Sequence, residues 1–186
     1  MRRQLLACAA LASIGLAGCG DEAGNGQANI TANAAEADKG LAVVEDSDGL
    51  STAGKLLKEA GLEMMLTGPG SYTVFAPSDD AFGALPEDQR KLLESEEGRP
   101  QLLALLRQHI TAGYVTPGDL TTALEHARRP EIELASLGAA PIPVRKQGDT
   151  VLLGQGDTAA RVVGGAVPIA NSIVYRIDRI LPPPGQ

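Results

Sequence analysis

The sequence predicts an α+β domain, because segments with helical periodicity come first and short β-rich runs follow them. Segments with helical spacing begin near Ser51 and, apart from one strand-like run, continue to a short helix that Pro117 opens. After Pro130, runs rich in β-branched residues are separated by Gly, Pro, Asp and Gln. The two kinds of segment do not alternate as βαβ units would, so a doubly wound parallel sheet is not expected.

Helices are predicted at several places in this first half. Ser51 can cap the first of them, which the Gly-Pro-Gly run at 68–70 ends. Its apolar face consists of Leu56, Leu57, Ala60 and Met64. Two more are predicted at about 87–94 and from Pro100, a residue suited to a first helical turn, to Ile110. Pro117 opens another short helix.

The predicted strands are short and mostly late in the chain. The first is 72–76, and the later runs are 131–137, 142–147, 150–154, 160–165 and 172–181. In the last run apolar and mainly polar positions alternate, which predicts one buried face and one mainly polar face. The first set is Ile173, Tyr175 and Ile177, and the second is Val174, Arg176 and Asp178.

The N-terminus has the order of parts found in an export signal. Two arginines precede a mainly apolar run, 5–16, that is too short to span a bilayer. The run ends in Leu-Ala-Gly-Cys, which resembles a bacterial lipobox, so we expect cleavage before Cys19 and lipidation of its thiol. The alternative is a cleaved signal followed by an ordinary free cysteine.

These signals divide the chain into four parts. We expect a signal peptide at 1–18, a lipidated flexible tether at 19–40, one folded domain at 41–184 and a short tail at 185–186. The tether has Ile30 as its single large aliphatic residue, so it cannot bury enough apolar surface to offset the entropy lost on ordering.

The composition excludes several classes of function. Cys8 leaves with the signal and Cys19 is acylated, so no thiol remains for a disulfide or a thiolate metal site. Loss of the two signal arginines changes the formal net charge from −7 to −9, which argues against binding nucleic acid or anionic headgroups directly. With three Tyr, two Phe and no Trp, the chain also lacks the usual stacking platform for bases or sugars.

Two adjacent carboxylates, Asp79 and Asp80, are the first candidate site. They follow a strand that Pro77 ends, and Ser78 stands where an N-cap belongs. Neighbouring side chains on a helix diverge by about 100°, so the two acids cannot converge on one atom without help. We therefore expect them to stabilise a helix start, the alternative being a reaction site.

Two motifs resemble the signatures of fasciclin-like domains, a family named for the adhesion protein fasciclin I. Residues 72–86, YTVFAPSDDAFGALP, resemble the first signature, and 170–183, ANSIVYRIDRILPP, resemble the second. Between them, 102–120 is similar to the family's helix with its histidine and the turn after it, and 50–70 is similar to its first helix. The resemblance covers roughly residues 41–184.

The resemblance implies a compact, wedge-shaped β-sandwich with several helices, mostly in the N-terminal half, and with the two signatures paired as central strands. Family members often carry Tyr-His and Asp-Ile pairs linked to adhesion. Here the corresponding positions are Gln108-His109 and Ala166-Val167. The second signature has Asn171-Ser172 and Tyr175 where Asn-Gly and a histidine are usual. The receptor-binding pairs of the family are thus not carried over to this chain.

The remaining candidates for chemistry are few. His109 follows leucines on one helical face, so we expect an inward imidazole bonded to a neighbouring loop carbonyl, the alternative being a general base or metal ligand. His126 lies at a charged helix end and is expected at the surface. The acidic run 45–49, EDSDG, is expected to be a solvated loop, with a weak cation site as the alternative. No nucleophile elbow and no phosphate-binding glycine motif occurs.

The leading hypothesis is a non-catalytic, lipid-anchored module that binds an envelope or extracellular protein or polysaccharide. We expect a monomer without catalytic residues, cofactor or metal, and the sequence identifies no ligand-binding residue. Gly20 follows Cys19 where aspartate would retain a lipoprotein at the inner membrane, which favours the outer membrane. The alternatives are an envelope enzyme using His109 with an acid brought near by folding, and a small-molecule carrier with a closed apolar pocket.

Overall fold

The structure, a computed structural model, describes residues 40–127 and 130–182. The helices in these ranges are α1 (Ala42–Glu45), α2 (Ser51–Glu59), α3 (Glu63–Thr67), α4 (Asp79–Gly83), α5 (Glu87–Leu93), α6 (Arg99–Gln108) and α7 (Pro117–His126). The strands are β1 (Tyr72–Pro77), β2 (Ile110–Ala112), β3 (Glu131–Leu134), β4 (Ile142–Gln147), β5 (Thr150–Leu153), β6 (Ala160–Ile169) and β7 (Ser172–Ile177). Helices precede most of the strands, so the predicted α+β class is confirmed. The signal peptide, Cys19 and the tether up to residue 39 lie outside the described residues, as does the tail.

Strands from the two ends of the domain lie side by side in the interior of the sheet. The strand order is β2-β1-β7-β6-β5-β4-β3, and β1 and β7 are parallel, with Phe75 opposite Tyr175. The other neighbouring strands are antiparallel. The predicted pairing of the two signature stretches as central strands is therefore confirmed.

Both faces of this central pair are buried. Val74 and Val174 pack with the helices in one hydrophobic cluster. Phe75 and Tyr175, whose rings stack 5.7 Å apart, pack with Val144 and other side chains of β4 and β5 in a second cluster. The second half of the sheet thus covers the first, as in the predicted β-sandwich. The mainly polar face predicted for β7 is wrong at Val174, because the helices cover that face and exclude water from it.

The sheet almost closes on itself. A glycine in the left-handed region, Gly164, lies in the bulge that bends β6 between its two partners. After β3 the chain returns to β2, where Ser136 forms a bridge with Thr111 and the Leu137 amide donates to the Ile110 carbonyl at 2.7 Å. This seam joins the two edges of the sheet beside the end of α6.

The predicted helix after Ser51 is two helices. Gly61 has φ +73°, a conformation that ends α2 and starts the turn into α3. The break rotates Met64 out of the predicted apolar face, and its side chain is 85% exposed. Among the described residues, no helix has the length and apolar content to cross a membrane.

Candidate functional site

The two adjacent carboxylates of the first signature have separate structural surroundings. Ser78 is the N-cap of α4 and its hydroxyl accepts from the Ala81 amide at 3.2 Å, which confirms the predicted helix start. Asp79 points to another helix, α2, where it accepts from the Thr52 amide at 2.8 Å and from the Ser51 hydroxyl at 3.0 Å. The sequence predicts Ser51 as the cap of α2, but the capping side chain is the carboxylate of Asp79.

The pKa of Asp79 reflects this contact. Partial burial raises the pKa, but the hydrogen bonds from Thr52 and Ser51 to the carboxylate outweigh burial, so the pKa lies below its usual value. A carboxylate held ionised by two donors at a helix N-terminus stabilises the fold and is a poor proton acceptor.

His109 lies at the end of α6, buried beneath the surface with 1% of its area exposed. Its Nδ1 lies 2.7 Å from the Leu105 carbonyl, and its Nε2 lies 2.9 Å from the Leu181 amide. Because an amide can only donate, Nε2 is the acceptor and the ring proton is on Nδ1. The expected inward imidazole is confirmed, although the carbonyl belongs to α6 and not to a loop.

Both ring nitrogens of His109 are occupied by the backbone. Burial lowers the pKa of this imidazole to about 4 and outweighs the hydrogen bond to the Leu105 carbonyl, which acts in the opposite direction. Within the described ranges no carboxylate oxygen lies within 4.0 Å of its ring nitrogens. The structure therefore gives no support to the alternative in which His109 works with a nearby acid as a general base.

The structure places the other candidate residues at a surface, in a turn and in a strand. His126 is exposed, as expected, and its Nδ1 lies 2.8 Å from the Thr122 carbonyl of its own helix. The acidic run 45–49 forms the end of α1 and a turn. In the part of the chain that the structure describes, no three Asp, Glu, His or Cys side chains converge to hold a metal ion. Ala166 and Val167 lie within β6 and pair with β7.

A groove that the sequence did not predict runs along the outer side of α6, beside the seam that joins the sheet edges. Its volume is about 690 Å³. Aliphatic side chains form most of its wall: Leu93, Ala104, Leu105, Leu137, Ala139 and Leu181. The polar contribution comes from Gln101, Arg107 and Gln108 of α6. We call this feature the α6 groove.

One face of α6 forms the groove and another face forms the core. Leu102 and Leu106 are buried in the helix-side cluster, whereas Ala104 and Leu105 face the groove. Leu102 and Leu106 are four residues apart and form the core stripe. The groove stripe consists of Gln101, Ala104, Leu105 and Gln108, whose spacings of three and four residues place them on one side of the helix. Four leucines in 102–106 are more than one core stripe needs, and this excess of leucine is the sequence signal for a second apolar surface on the helix.

The loop wall of the groove is held by the end of α6. The Gln108 side chain donates to the Ala140 carbonyl at 2.9 Å and accepts from the Ala140 amide at 3.4 Å. A Cβ on Gly138 would lie 2.8 Å from the Gln108 Cα and would overlap the Gln108 amide oxygen, so only glycine allows this approach. Ser136 also donates to the Ala140 carbonyl. The loop is thus fixed by the polar contacts of Gln108 and Ser136 with Ala140.

The base of the groove depends on His109. Leu105 and Leu181 both line the groove, and the imidazole bonds the backbone of both. In the described ranges every buried side-chain nitrogen and oxygen has a hydrogen-bond partner. The site therefore offers a shaped apolar surface with a polar rim, and no buried group is left poised for reaction.

The fold and this groove define a class of protein: an α+β domain with a parallel central strand pair, a structural histidine and a surface suited to recognition. Comparison with known families matches residues 48–183 to the fasciclin domain. The chain belongs to the fasciclin domain family.

Relatives and one solved structure agree with this assignment. The chain is 28% identical to protein sll1483 of Synechocystis over 153 residues, 81% of this chain and 78% of the relative. It is 32% identical to the cell surface glycolipoprotein MPB83 of Mycobacterium bovis over 134 residues, 72% of this chain and 53% of the relative. The FAS1 domain pair of the insect cell adhesion molecule fasciclin I superposes with a TM-score of 0.55 at 19% identity, over 76% of this chain and 50% of that chain. The chain thus spans only about half the length of the last two proteins.

Proposed function

We propose that the chain is a non-catalytic binding module that a lipid on Cys19 holds at the bacterial cell envelope, and that it binds through the α6 groove. The observation that carries this proposal is an apolar groove above a histidine whose two ring nitrogens both bond to backbone. A site with shape and apolar area but without a reacting group favours recognition over catalysis.

The relatives support the envelope location. One of them is described as a cell surface glycolipoprotein, and the likeness to it extends over 72% of this chain. The sequence before Cys19 supplies an export signal and a lipobox. Gly20, in place of aspartate, favours transfer to the outer membrane.

The partner class follows from the groove. An envelope or extracellular protein or polysaccharide that presents an aliphatic group would bury that group against the leucines and alanines of the wall, and the monomer suffices for this contact. The volume of about 690 Å³ also suits the second candidate, a carrier of a small apolar molecule, although the groove is open and not the closed pocket first expected for one.

Anchoring is tested by the substitution Cys19→Ser. The thiol is the atom to be acylated, so the variant should move from the membrane fraction to the soluble fraction of cells, as followed by immunoblot after fractionation. The matched control is Cys8→Ser, which lies in the signal and should leave the protein in the membrane. A Cys19→Ser protein that stays with the membrane would contradict the lipobox interpretation.

Groove-dependent binding is tested with the full chain carrying Cys19→Ser as bait in solubilised envelope. Ala104 is exposed on α6 and lines the groove, so Ala104→Trp fills the groove without entering the core. The bait should enrich an envelope component, and the added tryptophan should reduce its recovery at least about tenfold. Met64→Trp, at an exposed position outside the groove, is the control. Equal recovery by both tryptophan variants, or no enriched component, would count against the proposal.

A further inference from the structure

We propose that the α6 groove binds a carboxylate with one unbranched aliphatic chain, the chain lying against the leucine wall and the carboxylate at Arg107. This inference rests on the proposed function, in which the groove is the binding surface, and it names the chemical class of the ligand.

The lining of the groove selects an aliphatic chain. Six of its side chains are leucine or alanine, and none is aromatic. Two of the polar groups next to it are already used, because Gln108 bonds to Ala140 and the Leu181 amide bonds to His109. The other polar side chains of the lining, Gln101 and Arg107, are exposed. A ligand that needed hydrogen bonds along its length would lose its water without replacement, whereas a hydrocarbon loses nothing there.

The walls are rigid enough to bind without rearrangement. The loop wall is fixed at Ile110, where the Leu137 amide donates at 2.7 Å, and at Gln108, against which Gly138 packs. The opposite wall is α6 itself. A preformed groove avoids the ordering cost that weakens apolar binding to a mobile surface.

Arg107 gives the rim its charge. It is exposed, it lines the groove, and among the described residues no carboxylate oxygen lies within 4.0 Å of its guanidinium. A guanidinium matches a carboxylate in shape and charge. The chain as a whole has a formal net charge of −7, so a preference for anions must come from a local group such as this one.

The test uses the full chain carrying Cys19→Ser and isothermal titration with octanoate, decanoate and dodecanoate. The association constant should rise roughly fourfold for each added methylene until the groove is filled. No binding of dodecanoate at concentrations up to about 1 mM, or an association constant that does not depend on chain length, would overturn the inference.

The head group is tested by comparing dodecanoate with dodecyltrimethylammonium, which has the same chain and the opposite charge. Dodecanoate should bind more tightly than the ammonium ligand. Arg107→Gln should lower the association constant of dodecanoate about two- to fivefold, and it should leave the association constant of the ammonium ligand unchanged or slightly higher. Arg161→Gln, at an exposed arginine of β6 outside the groove, should change neither. Equal or tighter binding of the ammonium ligand to the unsubstituted chain would overturn the assignment of Arg107.

The location is tested with Ala104→Trp and, on the other wall, Ala139→Trp, both at exposed positions. In either variant the association constant of dodecanoate should fall at least about tenfold, while an unchanged circular dichroism spectrum shows that the variant is folded. Retained binding in both would overturn the site. If dodecanoate does not bind while recovery of the envelope component still depends on residue 104, the ligand class is wrong and the proposed function stands. If neither dodecanoate binding nor recovery of the envelope component depends on residue 104, the ligand class and the proposed function are both wrong.

Discussion

Lowering the pH from 7 to 5 should destabilise the domain through one residue, His109. Burial depresses the pKa of its imidazole from 6.5 to about 4 in the folded state. The unfolded chain therefore binds a proton first as the pH falls, and this favours unfolding. The stability that the neutral imidazole contributes is fully present above about pH 6.5 and is lost progressively as the pH falls towards 4.

The magnitude follows from the two pKa values. Each unit of pKa difference between the folded and unfolded states is worth about 1.4 kcal/mol. The difference between 6.5 and about 4 therefore corresponds to about 3 kcal/mol of stability in total. Between pH 7 and pH 5 the loss is about 2 kcal/mol. Hydrogen bonds from Thr116 lower the pKa of Asp119, as those from Thr52 and Ser51 lower the pKa of Asp79, so both carboxylates stay ionised and contribute little in this window.

The assay is urea unfolding of the full chain carrying Cys19→Ser at pH 7, 6 and 5. The free energy of unfolding should fall by about 2 kcal/mol between pH 7 and pH 5. In His109→Gln this dependence on pH should largely disappear, even if the variant is less stable at every pH. His126→Gln, at the exposed histidine, is the matched control and should keep the full slope. Parallel pH profiles for His109→Gln and the unsubstituted chain would refute the reasoning.

Three further substitutions test other parts of the structure by urea unfolding at pH 7. Asp79→Ala removes the cap of α2 and should cost about 1 kcal/mol, whereas Asp80→Ala, at an exposed position, should cost much less; equal costs would contradict the cap assignment. Gly138→Ala brings a Cβ against Gln108 and should cost about 1–3 kcal/mol. The control is Gly83→Ala, where a Cβ meets nothing within 4 Å, and it should be neutral or stabilising. A neutral Gly138→Ala would contradict the packing of the loop wall. Phe75→Ala should cost about 3–5 kcal/mol because the ring is fully buried between the two halves of the sheet, and a loss below about 1 kcal/mol would contradict that packing.

Features that depend on neighbouring residues could be predicted from the sequence. The cap at Ser78, the helix starting at Pro117 and strand β4 at Ile142–Gln147 each follow from a local signal, and the structure has all three. The inward direction of His109 also follows, because leucines at helical spacing define the buried side.

Features that depend on distant residues could not be predicted in this way. The carboxylate of Asp79 reaches Thr52, 27 residues earlier, and no local pattern announces such a contact. The α6 groove exists because the sheet closes and brings Gly138 against Gln108, a pairing that only the tertiary fold creates. The alternation places Val174 on the same face as Arg176 and Asp178 and so predicts a mainly polar face, but burial of a strand depends on what covers it.

The central claim, that the α6 groove is the binding surface of an envelope module, is tested most directly by photo-crosslinking in living cells. A photoreactive phenylalanine analogue at position 104, in the groove, should form a covalent adduct with a component of the envelope on irradiation. The same analogue at position 64, which is exposed and outside the groove, should not form that adduct. The same adduct from both positions, or an adduct from position 64 alone, would contradict the account.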